Sequence, residues 1–290
     1  AQHLHTEIIS ADSRQIYKLM DVGTAKPSFP EKKLIPHHMI DLVYPDELFN
    51  AARYNREVRI IIEKKQNQGH LPFMVGGCGL YIKAVTQGIF EGPGPQPEFR
   101  KSLLCEAKEK GTSFLFERLS SIDPTASTKI HPNDLFRIIR ALEVYHITGV
   151  PISSFRSNKA LYPAPYDTLI IGLSRDRREL YNRIEDRCKK MVETGLIDEV
   201  KNLLNMGFKE DAFAFKGPAY TQAIEYLRGM YTLDRALYLM QRETKRFAKR
   251  QFTWFRQIPN IIWFHLDGNK PNAEDQTVKK ILELVQKWLN

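Results

Sequence analysis

The sequence predicts an α/β fold built on a parallel sheet and interrupted by a helical insertion. Three observations predict it. Apolar runs of strand length at residues 7–10, 71–75, 168–173 and 261–266 are bounded by polar or glycine-rich turns. Helical periodicity fills most of the chain between them, and buried strands that alternate with helices pair in parallel. A stiff turn-rich segment, Gly92-Pro93-Gly94-Pro95-Gln96-Pro97, opens a stretch with helical pattern only.

Each element has its own warrant. Residues 1–5 read as the tail of a helix, followed by the run Glu7-Ile8-Ile9-Ser10 and a polar loop at 11–15. A doubly wound sheet that binds phosphates opens with a strand, a glycine-rich loop and a helix. That pattern leads to the expectation of a first strand and its loop upstream. Residues 53–65 carry Val58, Ile61 and Ile62 at helical spacing, and Gly69 closes that helix. The strand at 71–75 is broken by Gly76-Gly77. In the helix at 133–145, Leu135, Ile138, Ile139, Leu142 and Tyr145 share one face, with Arg137 and Arg140 opposite. A second linker at 161–165 leads back to the strand at 168–173. A long helix at about 234–256 precedes the last strand. The expected organisation is a core at 1–95, a helical insertion at 96–160, and a return to the core with long C-terminal helices at 161–290.

Composition narrows the class. The chain has 290 residues, 42% hydrophobic and 27% charged, as in an ordinary globular protein. No apolar run approaches the roughly 18 residues of a membrane span, and no leader pattern opens the chain. A cytoplasmic protein is expected. Cys78, Cys105 and Cys188 fit neither a zinc site nor a disulfide framework. The formal net charge of +9 favours anionic partners such as phosphates and nucleic acid.

Five groups could carry chemistry. Asp12 follows a strand end, where open α/β sheets bind ligands. Its carboxylate could hold a metal, position an amine or accept its proton, or merely cap the next helix. In Asp21-Val22-Gly23-Thr24-Ala25-Lys26, Thr24 and Lys26 could bond phosphate, although an ordinary loop is the simpler reading. Val75-Gly76-Gly77-Cys78-Gly79 joins a strand to a helix and would let a ligand approach the backbone closely, or serve packing alone. Arg137 and Arg140, one turn apart, could grip phosphates or form a solvated face. Arg242, Lys245, Arg246, Lys249, Arg250 and Arg256 occupy one arc of the long helix, with Met240, Phe247, Trp254 and Phe255 on the other. Only Glu243 offsets this charge locally. A face so rich in cations suits a polyanion or a diphosphate.

Taken together, these residues resemble the bacterial tRNA dimethylallyltransferases, also called tRNA isopentenyltransferases. The matching stretches are residues 10–15 with 20–27, Pro36-His37-His38 through Asp41, 75–81, 131–143, 166–173, 195–199 and 248–256. They occur in the family's order across nearly the whole chain. The resemblance implies a P-loop nucleoside-triphosphate-hydrolase-like parallel sheet with a helical insertion. It implies transfer of a prenyl group from dimethylallyl diphosphate to N6 of an adenine beside the anticodon, assisted by Mg²⁺, with diphosphate leaving. Asp12 matches the family's catalytic aspartate. The tRNA contacts carry over onto Asp12, Ser13, Arg14, Gln15, Cys78, Arg100, Phe136, Arg137, Ile138, Ile139, Arg140, Lys249, Arg250, Gln251, Phe252, Thr253, Trp254, Phe255 and Arg256. Arg242 and Arg246 are then candidates for the diphosphate, Arg246 with a part in catalysis. The expected partners are the anticodon stem-loop of tRNA and dimethylallyl diphosphate, with no membrane, and the chain is expected to be a monomer.

Departures from the family pattern are visible. Cys78 stands where most relatives have Thr, and a thiol is a weaker donor than a hydroxyl. Ala219 and Thr221 replace a glycine and a cation, leaving Tyr220 to stack on a base. The phosphate loop does not appear, and the chain is expected to be inactive without it. Three other readings use some of the same residues. An adenylate prenyltransferase would not need Arg137, Arg140 and the cationic helix. A small-molecule kinase of the same core would not need the insertion. A non-catalytic RNA-binding protein would leave Asp12 unexplained.

Overall fold

The computed structural model describes residues 1–90, 92–157, 166–268 and 272–290. Two compact units make up the chain, one of residues 1–86 with 166–290 and one of residues 87–165.

In the first unit the chain opens with a single 3-10 turn at Gln2–Leu4, ended by His5 at φ 45°, rather than with the tail of an α-helix. Strand β1 (Ile8–Ala11) follows, then helix α1 (Phe29–Leu34), strand β2 (His37–His38), helix α2 (Ala51–Asn67), strand β3 (Phe73–Gly76) and helix α3 (Gly79–Gln87). Asn50 caps α2 by accepting the Arg53 amide at 2.9 Å, and α2 buries Tyr54, Val58 and Ile62. The later part contains β4 (Ile171–Arg175), β5 (Ile262–Leu266) and the helices α9 (Arg177–Glu193), α10 (Leu196–Asn205), α11 (Pro218–Leu227), α12 (Leu233–Phe255) and α13 (Ala273–Leu289).

All strand pairing is parallel, but the expected single sheet is two sheets among the described residues. One has the order β2-β1-β3 and the other pairs β4 with β5. β2 escapes sequence reading because two histidines make no apolar run. Backbone pairing with Ile8 and Ile9 makes it a strand. β4 begins at Ile171, later than the apolar run suggests. The linker expected at 161–165 lies outside the described residues.

β3 is an edge strand of the first sheet and β4 of the second. Both strands line the same cavity of about 750 Å³, walled by apolar side chains such as Phe73, Met74, Ile171, Phe252 and Phe255. Val75 and Leu173 are 44% and 55% exposed there. Strands of parallel sheets ordinarily bury both faces.

The second unit is helical: α4 (Pro97–Lys110), α5 (Thr112–Ile122), α6 (Pro124–Ser127), α7 (Leu135–Thr148) and α8 (Ile152–Ser157). Its core joins Leu103, Leu115, Leu119, Ile138, Leu142 and Val144. Asp134 caps α7 through the Arg137 amide, and Gly149 ends it with φ 68°. The buried face of α7 differs from the expected stripe, since Glu143 is fully buried and Tyr145 faces solvent.

Candidate active site

Asp12 follows β1 directly, at the carboxyl end of the sheet, where ligands of open α/β sheets bind. Its Oδ1 accepts the amides of Arg14 at 2.7 Å and Gln15 at 3.3 Å. One oxygen therefore holds a turn, and not the start of a helix, since the next helix begins at Phe29. Among the described residues no protein donor reaches the other oxygen, Oδ2. The Ser13 hydroxyl lies in hydrogen-bonding reach of the Cys78 thiol, and burial pushes that thiol's pKa up, so the sulfur stays protonated.

Two tyrosines support this corner. Tyr54 and Tyr81 stack with centroids 3.9 Å apart, and Tyr54 Oη donates to the Ser10 carbonyl at 2.9 Å. Burial raises both phenols, keeping them neutral. Both rings belong to helices, α2 and α3, that flank β1 and β3.

Arg14 turns away from solvent. Its Nη1 donates to the carbonyls of Phe213 and Ala214 at 2.6 and 3.1 Å, and its Nη2 to that of Lys216 at 2.6 Å. Gln15 accepts from Ser10 Oγ and donates weakly to the Ala25 carbonyl.

The loop at 21–26 behaves as an ordinary loop, held entirely by protein. The Glu199 carboxylate accepts the amides of Asp21, Val22 and Gly23 at 2.7, 2.7 and 3.1 Å. It fills the position a phosphate could otherwise take. Thr24 Oγ1 donates to the Met20 carbonyl, and the buried Lys26 ammonium bridges Asp21, Asp41 and the Tyr17 carbonyl. Tyr220 is also not free to stack on a base. It is 2% exposed and donates to Glu199 at 2.6 Å, with its ring against Gly23. A Cβ at position 23 would lie 2.6 Å from that ring, so glycine is required there.

The glycine turn after β3 is likewise filled by protein. Cβ atoms added at Gly76, Gly77 and Gly79 would lie 2.2–2.3 Å from the Ala11 carbonyl, Gln251 and Trp254 respectively. The close approach is made by β1 and α12; packing explains Gly76 against the Ala11 backbone and Gly79 against the Trp254 ring, whereas at Gly77 the neighbour is the movable amide end of Gln251. Gln251 Nε2 donates to the Gly77 carbonyl at 2.9 Å, and the Cys78 amide to the Ala11 carbonyl at 2.9 Å. Gln251 and Trp254 thus join α12 to the turn that flanks Asp12.

The cations of α12 divide into two sets. Arg242 and Arg246 both bond Glu243, at 2.9 and 2.8 Å, and Lys245 pairs with Glu185 of α9. Glu243 is therefore not the only offsetting acid. Lys249 and Arg256 are exposed, as are Thr253 and Arg250, whose guanidinium lies 5.8 Å from the Phe247 ring. No ion pair to Lys249, Arg250 or Arg256 exists among the described residues. Phe252 and Phe255 point instead into the apolar cavity.

In the helical unit, Arg100 and Arg140 converge on Glu143. Arg100 Nε and Nη2 donate at 2.7 and 2.8 Å, Arg140 Nη1 at 2.6 Å, and the Gln96 amide at 2.8 Å. Arg140 Nη2 also donates to the Pro93 carbonyl. Burial works against the Glu143 charge, but these donors outweigh it and hold its pKa below the usual carboxylate range. Ile138 and Ile139 are core residues whose side chains face inward. Phe136, 71% exposed, and Arg137, paired with Asp134 at 3.3 Å, present the outer face of α7.

Sequence reasoning gave no role to Glu199, Glu143, Tyr54, Tyr81 or Phe213, although Tyr81, Glu143 and Glu199 lie in stretches that match the family. Glu143 carried a further signal, an acid at core spacing on an amphipathic helix that demands a buried partner. The described residues contain no cluster of three His, Cys, Asp or Glu that could cage a metal.

Comparison with known proteins adds to this geometry. The profile of the IPP transferase family matches residues 15–258. The tRNA dimethylallyltransferase of Carboxydothermus hydrogenoformans (strain ATCC BAA-161 / DSM 6008 / Z-2901) is 48% identical over 284 residues, 98% of this chain and 90% of its own. That of Alkaliphilus oremlandii (strain OhILAs) is 46% identical over 269 residues, 92% of this chain and 86% of its own. Among solved structures, the full-length tRNA isopentenylpyrophosphate transferase from Bacillus halodurans superimposes with a TM-score of 0.72 at 37% identity, covering 99% of this chain and 89% of its own. A eukaryotic dimethylallyltransferase acting on tRNA gives 0.78 at 25% identity, covering 99% and 75%.

Proposed function

The chain belongs to the IPP transferase family, and from that premise we propose that it moves the dimethylallyl group of dimethylallyl diphosphate onto N6 of the adenine adjacent to the anticodon in tRNA. The C–O bond to diphosphate breaks, the N6–C bond forms, N6 gives up a proton, and diphosphate leaves. The observation that carries the reading is Asp12, with Oδ1 used in its turn and Oδ2 open at the carboxyl end of the sheet. An exocyclic adenine amine is a poor nucleophile, because its lone pair is delocalised into the ring. An acceptor fixed at Oδ2 orients it and takes its proton.

The leaving diphosphate needs cationic partners. Arg242 and Arg246 offer two guanidinium groups against one shared carboxylate, a net single positive charge. Mg²⁺ of the expected kind keeps waters and binds phosphate oxygens with one or two carboxylates. The described residues hold no cluster of acids for an all-protein cage, and with Asp12 Oδ2 given to N6 the ion would be held mainly by the diphosphate and water. Bound to the diphosphate, the ion would neutralise its growing charge. For the anticodon stem-loop, Lys249, Arg250 and Arg256 supply charge in the first unit; in the second unit, taken by itself, Arg137 and Phe136 offer a charge and an aromatic ring. These features favour tRNA over a free adenylate.

The apolar cavity fits a further part of the expected machinery. One parallel strand there would join both sheets and end at the glycine turn, where the expected phosphate loop would follow. Mass analysis of tRNA nucleosides after incubation of the full-length protein with dimethylallyl diphosphate tests the reading. Prenylated adenosine beside the anticodon supports it. Modification of free adenylate alone supports the adenylate prenyltransferase.

A further inference from the structure

Arg14 is bonded at both ends of the residue. Its backbone amide donates to Asp12 Oδ1 at 2.7 Å. Its guanidinium donates to three carbonyls of the segment 213–216, which lies about 200 residues away in sequence. The same guanidinium sits 5.0 Å from the Phe213 ring centroid. Gly217 passes close by, where a Cβ would lie 3.7 Å from Nε. A planar fork suits this task, because its donors have fixed directions.

The segment that receives the fork is itself held. Thr221 Oγ1 donates to the Phe215 carbonyl, and the Phe215 ring packs on Tyr220 at 5.9 Å. Tyr220 bonds Glu199, and Glu199 holds the amides of 21–23. The chain of contacts closes on itself around the Asp12 turn. Burial lowers the Arg14 pKa, consistent with a guanidinium enclosed by protein.

We propose that Arg14 is a positioning residue, which aims Asp12 by fastening its turn to the segment 213–216, and is not a contact to RNA phosphate. The inference rests on the proposed reaction and refines it, since an arginine beside the acceptor of a nucleic-acid enzyme is otherwise read as a phosphate contact. Lysine cannot reproduce the role. One ammonium keeps the charge but cannot span three carbonyls in fixed directions.

Arg14→Ala and Arg14→Lys in the full-length protein, each also combined with Asp12→Ala, test the proposal. Single-turnover prenylation at saturating tRNA is expected to fall about 10²-fold in both single variants, the usual cost of a misplaced group. The salt dependence of tRNA binding is expected to stay unchanged in both. In the Asp12→Ala background, adding Arg14→Lys should lower the residual rate no further, because Arg14 acts through Asp12. A log–log salt slope smaller by about 0.7–0.9 in Arg14→Ala, with the rate intact at saturating tRNA, overturns the proposal. So does a full rate in Arg14→Lys, or a further loss in the double variant. If Arg14→Ala does not fold, the lysine variant decides alone. A wild-type protein that prenylates no tRNA overturns the functional reading and this inference with it, whereas an active wild type with an unaffected lysine variant overturns only the inference.

Discussion

Asp12 divides its carboxylate between structure and chemistry, and the division sets what its replacement should do. Asp12→Asn keeps an oxygen for the amides of Arg14 and Gln15 but removes the proton acceptor. Asp12→Ala removes both. Loss of a general base costs about 10²–10⁴-fold in rate, and we expect both variants to show it in single-turnover prenylation, with near-normal thermal stability for Asp12→Asn. Wild-type turnover in either would exclude Asp12 from the chemistry. Glu143 is the counterpart in the helical unit. Truncating a buried acid that holds two arginines leaves their charges uncompensated, at about 3 kcal/mol. Urea unfolding of Glu143→Ala should show that loss. Its folded pKa is depressed, so its contribution is present above the unfolded value of about 4.3 and is lost as pH falls through the folded one. The difference between wild type and Glu143→Ala should therefore shrink below about pH 4. A difference independent of pH would mean that packing alone is at stake. Neither bonding pattern was legible in advance. Sequence gives residue types and helical faces, while the partners of Glu143 lie 3 to 47 positions away.

At the scale of elements, α12 is too long for one task. Its 23 residues span about 35 Å at 1.5 Å each, and a diphosphate covers only a fraction of that. The pairing of its cations follows the same division. Arg242, Lys245 and Arg246 have acidic partners that hold them in place, whereas Lys249, Arg250 and Arg256 have no ion pair among the described residues. Arg246→Ala is expected to slow single-turnover chemistry at saturating tRNA. Arg256→Ala should leave that rate intact and weaken tRNA binding, with a salt slope smaller by about 0.7–0.9. If both variants changed affinity alone, α12 would be a binding surface only. The amphipathic pattern announced this helix and its charged arc. It did not announce that Gln251 and Trp254 reach the glycine turn, because a helical wheel shows which side a residue is on and not what stands opposite.

For the whole molecule, the informative feature is a sheet in two parts. β3 and β4 each carry an unpaired edge beside the same apolar cavity. A polypeptide of these 290 residues alone should bind a hydrophobic dye such as ANS and exchange the backbone amides of β3 and β4 quickly. A longer product that carries the proposed strand should lose the dye signal and protect those amides. Equal exchange in both would place that strand elsewhere.

The sequence by itself determined the α/β class, the parallel pairing, the long helices and the place of Asp12 after a strand. Each follows from periodicity, from a local cap or from a strand end, and such signals lie within a dozen neighbouring residues. The family followed from motifs in order along the chain. Only the tertiary structure decided which polar groups are used up inside the protein and which remain for a ligand. Gly76 and Gly79 serve β1 and α12, the amides of 21–23 are held by Glu199, Tyr220 is buried, and Arg14 binds carbonyls. A hydrogen bond is settled by distance and direction between groups far apart in sequence, and burial makes each one obligatory. No local pattern contains that information.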